Sequence, residues 1–237
     1  TIIKAKKSRN HTELLCKYLK LPIKIIENKK FDKIEINKIS KIRNLNYNIP
    51  SDISSSAFFI ILTALSNKSE LIIKNVNINK SRVGVITILK MMGIKINFKN
   101  KKKYRGELIS DIKIKSCKLI KPINCPTNLN SSAIDEFLLI FLVAAKAHGV
   151  SVFKDLGELN QKESPRLKWG EKILNEMGIK TISTNSSIKI FGNPKINIDK
   201  KIIIKKYLKD HRIFMTSVVA ALSFGGNWII HDKDSIN

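Results

Sequence analysis

Three stretches of this 237-residue chain can be laid under one another, and that repetition constrains the fold more than any other feature. They are "SSAFFIILTALSNKSELIIKNVNINKSRVGVITILKMMGIKI" (55–96), "SSAIDEFLLIFLVAAKAHGVSVFKDLGELNQKESPRLKWGEKILNEMGIK" (131–180) and "DHRIFMTSVVAALSFGGNWIIHDKDSIN" (210–237). Each opens on an apolar helix ending in small residues and runs into a strand, at 71–76, 150–154 and 227–231. The first two continue into a second helix, opened at Ser81-Arg82 and at Ser164-Pro165-Arg166. Both second helices stop at Met-Gly, 92–93 and 177–178, where glycine fits a left-handed helix end. An alternating strand follows, "IKINF" or "IKTIS". The stretch "HTELLCKYLKLPIKII" (11–26) reads as the second helix and strand of a repeat whose opening is absent, and the third copy stops before its second helix. The expectation is a fragment of a longer α/β protein. Segments 99–105 and 193–201 read as exposed polar connectors, and Pro50 in "NYNIPSD" forces extended backbone before it. The reading therefore sets a border near residue 48, with 1–48 the tail of one domain and 49–237 a second domain of nearly three repeats.

Hydrophobic residues make up 43% of the chain, enough for a packed core and too much for a disordered tail. The longest apolar run, 137–145, is far short of the roughly 20 residues a membrane span needs. No secretory signal pattern is present. Cys16, Cys117 and Cys125 lack metal-ligand spacing, and a reduced, cytoplasmic setting is the simplest reading. The net charge of +25 suggests nucleic acid, yet the excess is nearly all lysine, spread evenly, with no aromatic-interleaved basic stripe. Such a field suits anionic small substrates. Arginine stands only at 9, 43, 82, 105, 166 and 212. In a chain so rich in lysine, an arginine marks a place that uses the planar two-pronged fork.

That argument bears most on "QKESPRLKWGEKILNEMG" (161–178). Ser164 is a good N-cap and Pro165 fits a first turn, so a helix begins at about 165 with Arg166 in its first turn. Helix starts favour acids, yet Lys162 and Arg166 gather here beside Glu163. Bare helix N–H groups plus two cations make a socket for an anion; the alternative is a solvated charged loop. "SSAIDEF" places Asp135 and Glu136 in the first turn of the most apolar helix, either to offset its dipole or to supply a base of tunable proton affinity. In "DHR", Asp210 can cap a helix, with His211 and Arg212 beside it. "SRNHTE" puts Ser8, Arg9 and His11 before another helix, and Ser54, Ser55 and Ser56 read as helix-start caps. No Gly-rich phosphate loop, metal cluster or nucleophile–base pair stands out.

Seven stretches in order and spacing ("SRNHTE", "SDISSSAFF", "INKSRVGVITILKMMG", "AIDEF", "GELNQKESPR", "DHRIFM" and the final "DSIN") resemble one family over nearly the whole chain, 5-enolpyruvylshikimate-3-phosphate synthase. The resemblance implies a two-domain enolpyruvyl transferase fold of repeated strand–helix units with buried helices. It implies transfer of the enolpyruvyl group of phosphoenolpyruvate to the 5-hydroxyl of shikimate 3-phosphate, a step toward aromatic amino acids, with no metal or organic cofactor. Asp135 is similar to the family's proton acceptor on the 5-hydroxyl, and Glu163 to the residue serving the phosphoenolpyruvate methylene. With Asp135, Lys162, Ser8 and Arg9 would contact shikimate 3-phosphate; Arg166 and Arg212 would hold phosphoenolpyruvate; His211 would support them. The resemblance also implies a monomer when full length, without nucleic-acid or membrane partners. The chain departs from the family at Pro165 and Asn10, where Asp is usual, and at Ser51, where Gly is common. Family contacts that would precede residue 1 and follow residue 237 imply that this chain alone is inactive. Two readings compete: a sister enzyme of the same fold acting on UDP-N-acetylglucosamine, and a non-catalytic basic nucleic-acid-binding module.

Overall fold

The computed structural model describes residues 1–6, 8–39, 41–42 and 44–236. It opens with β1 (Ile2–Lys6), α1 (His11–Tyr18), β2 (Ile23–Glu27) and β3 (Phe31–Ile36). β3 lies between the other two strands and runs antiparallel to both, Ile34 facing Ile3 on one side and Ile25 on the other. The same order recurs twice. After α2 (Ile53–Leu65) come β4 (Glu70–Asn77), α3 (Gly84–Met91), β5 (Ile96–Tyr104) and β6 (Glu107–Lys115), in a sheet ordered β4-β6-β5. After α4 (Asn130–Ala133) and α5 (Phe137–Ala145) come β7 (Val150–Phe153), α6 (Arg166–Glu176), β8 (Thr181–Ser183) and β9 (Ile188–Phe191), ordered β7-β9-β8. The last elements are β10 (Ile198–Ile204), α7 (His211–Phe224) and β11 (Gly225–Ile230).

β10 and β11 pair in parallel across α7. Single parallel bridges do the same job earlier, Ser51 to Val76 across α2 and Asn124 to Val152 across α4 and α5. Each leading helix is therefore a crossover between parallel segments, and crossovers are the only way to join such neighbours. Gly93 and Gly178 end α3 and α6 with φ of +90° and +82°, the left-handed stop the Met-Gly pairs predict.

The core follows from which helices are apolar on every side. All nine residues of α5 are buried, and α2 is buried along most of its length. Phe137 and Phe141 of α5 meet Phe153 of β7 at centroid separations of 6.0 and 5.2 Å. α6 is amphipathic and lays Leu167, Ile173 and Leu174 onto that centre. Among the described residues no single helix is long and apolar enough to cross a membrane.

Several local expectations are corrected. Segment 99–105 is mostly strand, not connector: β5 is the edge of its sheet, where a run of lysines is compatible with pairing on one side only and discourages a second partner. The connector at 193–201 gives way to β10 from Ile198. The apolar helix is not continuous from 131; α4 and α5 are bent by 119° at 134–136. Asp135 and Glu136 thus sit in the break, with Glu136 at the N-cap of α5 and no side-chain capping bond. At α2 the cap is Asp52, whose Oδ2 accepts from Ser55 N at 2.7 Å, rather than a serine. Ser164 does not cap α6 either; its hydroxyl turns to Asp210.

The first sheet meets the rest through α1. His11 Nδ1 lies 2.6 Å from Glu107 Oε1, Asn79 Nδ2 donates to Asn10 Oδ1 at 2.8 Å, and Arg105 donates to the Tyr18 hydroxyl at 2.6 Å. These contacts fix the residues just before α1, and so Ser8 and Arg9, over the break between α4 and α5.

Candidate active site

The repeats bring their helix starts to one place. α6 and α7 both begin at a cavity of about 640 Å³. The segment before α1 adds Ser8 and Arg9, the α4–α5 break adds Asp135, and the loop before α6 adds Lys162 and Glu163. Arg166 comes from the first turn of α6, His211 and Arg212 from that of α7. All eight residues that the resemblance assigns to the site line this one hollow, whereas Glu136, Asp210 and His11 do not. Ser131, Ile134 and Glu158 line it as well, which the sequence did not indicate.

Asp135 stands at the electrostatic centre. Its side chain is 13% exposed and forms an ion pair with Arg9. Arg166 Nη1 lies 3.5 Å away, Arg212 Nη2 3.9 Å and Lys162 Nζ 4.0 Å. Burial works to raise its pKa, but Arg212, then Arg9 and Lys162, outweigh it and hold the carboxyl below its ordinary range. Asp135 is accordingly ionised at neutral pH. Its carbonyl also accepts from Arg212 Nη1 at 3.1 Å.

Arg166 is not a loose surface charge. It is 2% exposed, and its fork closes on Asp210, Nε to Oδ2 at 2.9 Å and Nη2 to Oδ1 at 3.3 Å. Nη2 also pairs with Glu163. Asp210 has a fully buried side chain that takes two more bonds, from Ser164 Oγ at 2.8 Å and from the Arg212 backbone N–H at 2.9 Å. Burial alone would raise its pKa; the bonds from Arg166 and Ser164 pull it below the ordinary value. One carboxylate thus caps α7 and fixes the arginine of α6. The capping half is local and visible in "DHR"; the bond to Arg166 spans 44 residues and leaves no mark in spacing.

Lys162 reaches Glu158 Oε1 at 3.1 Å as well as Asp135. The hollow therefore holds three arginines and a lysine against Asp135, Glu158 and Glu163, with two helix N-termini adding positive potential. Among the described residues no three His, Cys, Asp or Glu gather as metal ligands would. What such a place can do is take up anionic groups, and present a carboxylate to whatever they position.

A scan against known families matches residues 1–237 to EPSP synthase (3-phosphoshikimate 1-carboxyvinyltransferase). The chain belongs to the EPSP synthase family. Its relatives include the 3-phosphoshikimate 1-carboxyvinyltransferase of Ruthia magnifica, 36% identical over 229 residues, covering 97% of this chain and 51% of that protein. That of Thermodesulfovibrio yellowstonii is 34% identical, covering all of this chain and 54% of the relative. The solved EPSP synthase from Acinetobacter baumannii superposes with a TM-score of 0.86 at 32% identity, over 99% of this chain and 53% of that one. The enolpyruvyl transferase NikO from Streptomyces tendae superposes at 0.71 with 14% identity, over 99% of this chain and 52% of that one, a likeness of fold alone. The chain spans about half the length of the family members it matches.

Proposed function

We propose that the protein carrying this chain transfers the enolpyruvyl group of phosphoenolpyruvate to the 5-hydroxyl of shikimate 3-phosphate, releasing phosphate. The observation that carries this reading is convergence: four distant segments, 8–9, 135, 162–166 and 211–212, meet around one cationic hollow. Both substrates are multiply anionic, and burying them without cations would be prohibitive. Lys162, Arg9 and Ser8 take the shikimate phosphate and ring side, while Arg166 and Arg212 take phosphoenolpyruvate. His211 supports the second group.

Chemistry then falls to the carboxylates. Asp135 accepts the proton of the 5-hydroxyl as that oxygen bonds to C2 of the enol, while Glu163 delivers a proton to the methylene carbon. In the second half Glu163 takes a proton back from the new methyl group, the double bond re-forms and the C2–O bond to phosphate breaks, the departing phosphate carrying off the proton held by Asp135. A carboxylate held low by Arg212, Arg9 and Lys162 is a weak base. Anionic substrates that engage Arg9, Lys162, Arg166 and Arg212 offset those charges and raise the proton affinity of Asp135 when a substrate hydroxyl is present. Pro165 leaves this intact, since it is the N-cap residue of α6 and not among the residues lining the hollow.

The border near residue 48 serves in this reading as the joint between two domains that close on the substrates. The setting is the cytoplasm, in keeping with three free cysteines, and the protein is a monomer. Isothermal titration with shikimate 3-phosphate tests the binding assignments. Lys162→Ala should weaken binding by about tenfold or more, each charge-assisted bond contributing about 1.5–3 kcal/mol. An unchanged affinity refutes the assignment.

A further inference from the structure

Asp135 has a neighbour that the reaction does not use. Glu136 is 1% exposed, and its side chain runs away from the cavity toward the start of α2. There Ser54 Oγ donates to its carboxyl. Arg82 Nη2 in turn donates to Ser54 Oγ at 2.5 Å and reaches Asp52 Oδ1 at 3.4 Å. Among the described residues Glu136 has no ion pair. We propose that Glu136, Ser54 and Arg82 form a buried brace that sets the position of Asp135, with Glu136 its positioning residue; the catalytic consequence rests on the transferase reading above.

The geometry argues as follows. Asp135 and Glu136 share a three-residue break between two helices bent by 119°, where the Glu136 N–H still bonds back to Ala133 and its carbonyl accepts from Ile140. The peptide between them is pinned from both sides. Arg212 holds the Asp135 carbonyl on the cavity side, and Ser54 holds the Glu136 carboxyl on the far side. A second contact presses from the same direction. α3 starts against α4 so closely that a Cβ on Gly84 would lie 2.8 Å from the Ser132 carbonyl carbon and 3.0 Å from Ala133 Cβ. Repeat one thus buttresses the short helix that leads into Asp135, both by polar contact and by packing.

The Glu136 carboxyl is shifted toward its neutral form. Burial dominates and raises its pKa, and the charge of Asp135 adds to the rise; the Ser54 bond and the charges of Arg212 and Arg82 oppose it without prevailing. A carboxyl oxygen accepts the Ser54 bond in either protonation state, and that bond is what the brace rests on. The brace also gives Arg82 a place, its Nη2 reaching both Ser54 and Asp52 at the start of α2.

The test compares Glu136→Ala, Glu136→Gln and Gly84→Ala with wild type in the protein carrying this chain, with thermal melts to confirm folding. The first readout is the titration of Asp135 followed by its carboxyl ¹³C shift. A lost brace lets Asp135 drift from Arg212 and Arg9, so its midpoint rises toward the ordinary value in Glu136→Ala and in Gly84→Ala. In Glu136→Gln the amide oxygen still accepts from Ser54, and the midpoint stays at the wild-type position. The second readout is turnover. A reacting group misplaced by about 1 Å loses roughly a hundredfold in rate, so kcat should fall at least about tenfold in Glu136→Ala and Gly84→Ala, with both KM values little changed. Glu136→Gln should recover most of it. A downward shift of the Asp135 midpoint in both Glu136 variants would mean Glu136 acts as a charge, and identical midpoints in all four proteins would mean it does not act on Asp135; either overturns the proposal. Wild type without transferase turnover would defeat the functional reading instead, and the titration would still decide the brace.

Discussion

Replacing Arg166 by lysine separates a forked arginine from a generic cation, because this chain uses lysine freely elsewhere. Arg166 makes two bonds to Asp210, at 2.9 and 3.3 Å, pairs with Glu163 and points Nη1 at Asp135 from 3.5 Å. A lysine ammonium can follow one of these directions. If it keeps Asp210, the cavity loses the prong assigned to phosphoenolpyruvate; if it turns to the cavity, a fully buried carboxylate loses its counter-charge. One charge-assisted bond is worth about 1.5–3 kcal/mol, which converts to roughly ten- to a hundredfold in apparent affinity. Because Asp210 also caps α7, the variant should melt about 3–12 °C lower, using about 2–4 °C per kcal/mol for 150–250 residues. The assay is steady-state kinetics of the protein carrying this chain, varying each substrate in turn, alongside thermal melting. The phosphoenolpyruvate constant should rise while that for shikimate 3-phosphate barely moves. Equal phosphoenolpyruvate constants in the two proteins would refute the assignment, and an unchanged melt would refute the role of the Arg166–Asp210 pair in the fold.

Asp135→Asn should lower kcat by about a hundredfold or more with modest changes in KM, since a base acts in the transition state; a rise in KM alone would make Asp135 a binding residue. Ser164→Ala removes one bond from the buried Asp210 carboxylate and should destabilise the protein by about 1.5–3 kcal/mol, read as a lower denaturant midpoint at unchanged slope. Asp111 tests pH linkage away from the cavity: the Asn75 N–H, then Asn100 and Lys74, hold its carboxyl down at about 2 against an ordinary 3.8. The stability it confers is present above the ordinary value and is lost as pH falls through about 2. The melting difference between wild type and Asp111→Asn should therefore be constant from pH 7 to 5 and shrink below pH 4; a difference that grows on acidification contradicts this.

The parts of the fold visible in the sequence are those set by local physics. Repeats show because equivalent helices need equivalent apolar runs, and Gly93 and Gly178 show because left-handed backbone favours glycine. Asp210 as a cap is visible two residues from its partner N–H. What the sequence hides is set at long range. The lysines of β5 read as a connector because only the position at a sheet edge makes them a strand. Ser164 reads as a cap because serine at a helix start usually is one, yet its partner lies 46 residues on. The break at 134–136 is hidden by unbroken apolar sequence after it, and it is what lets Asp135 face the cavity while Glu136 faces the core.

The central claim is that this cationic hollow serves enolpyruvyl transfer to shikimate 3-phosphate. The direct measurement is ³¹P NMR of the protein carrying this chain with phosphoenolpyruvate and either shikimate 3-phosphate or UDP-N-acetylglucosamine. The account predicts inorganic phosphate released one for one with a new enol ether, with shikimate 3-phosphate only. Phosphate release with the UDP sugar, or none with shikimate 3-phosphate from a folded protein, would contradict it.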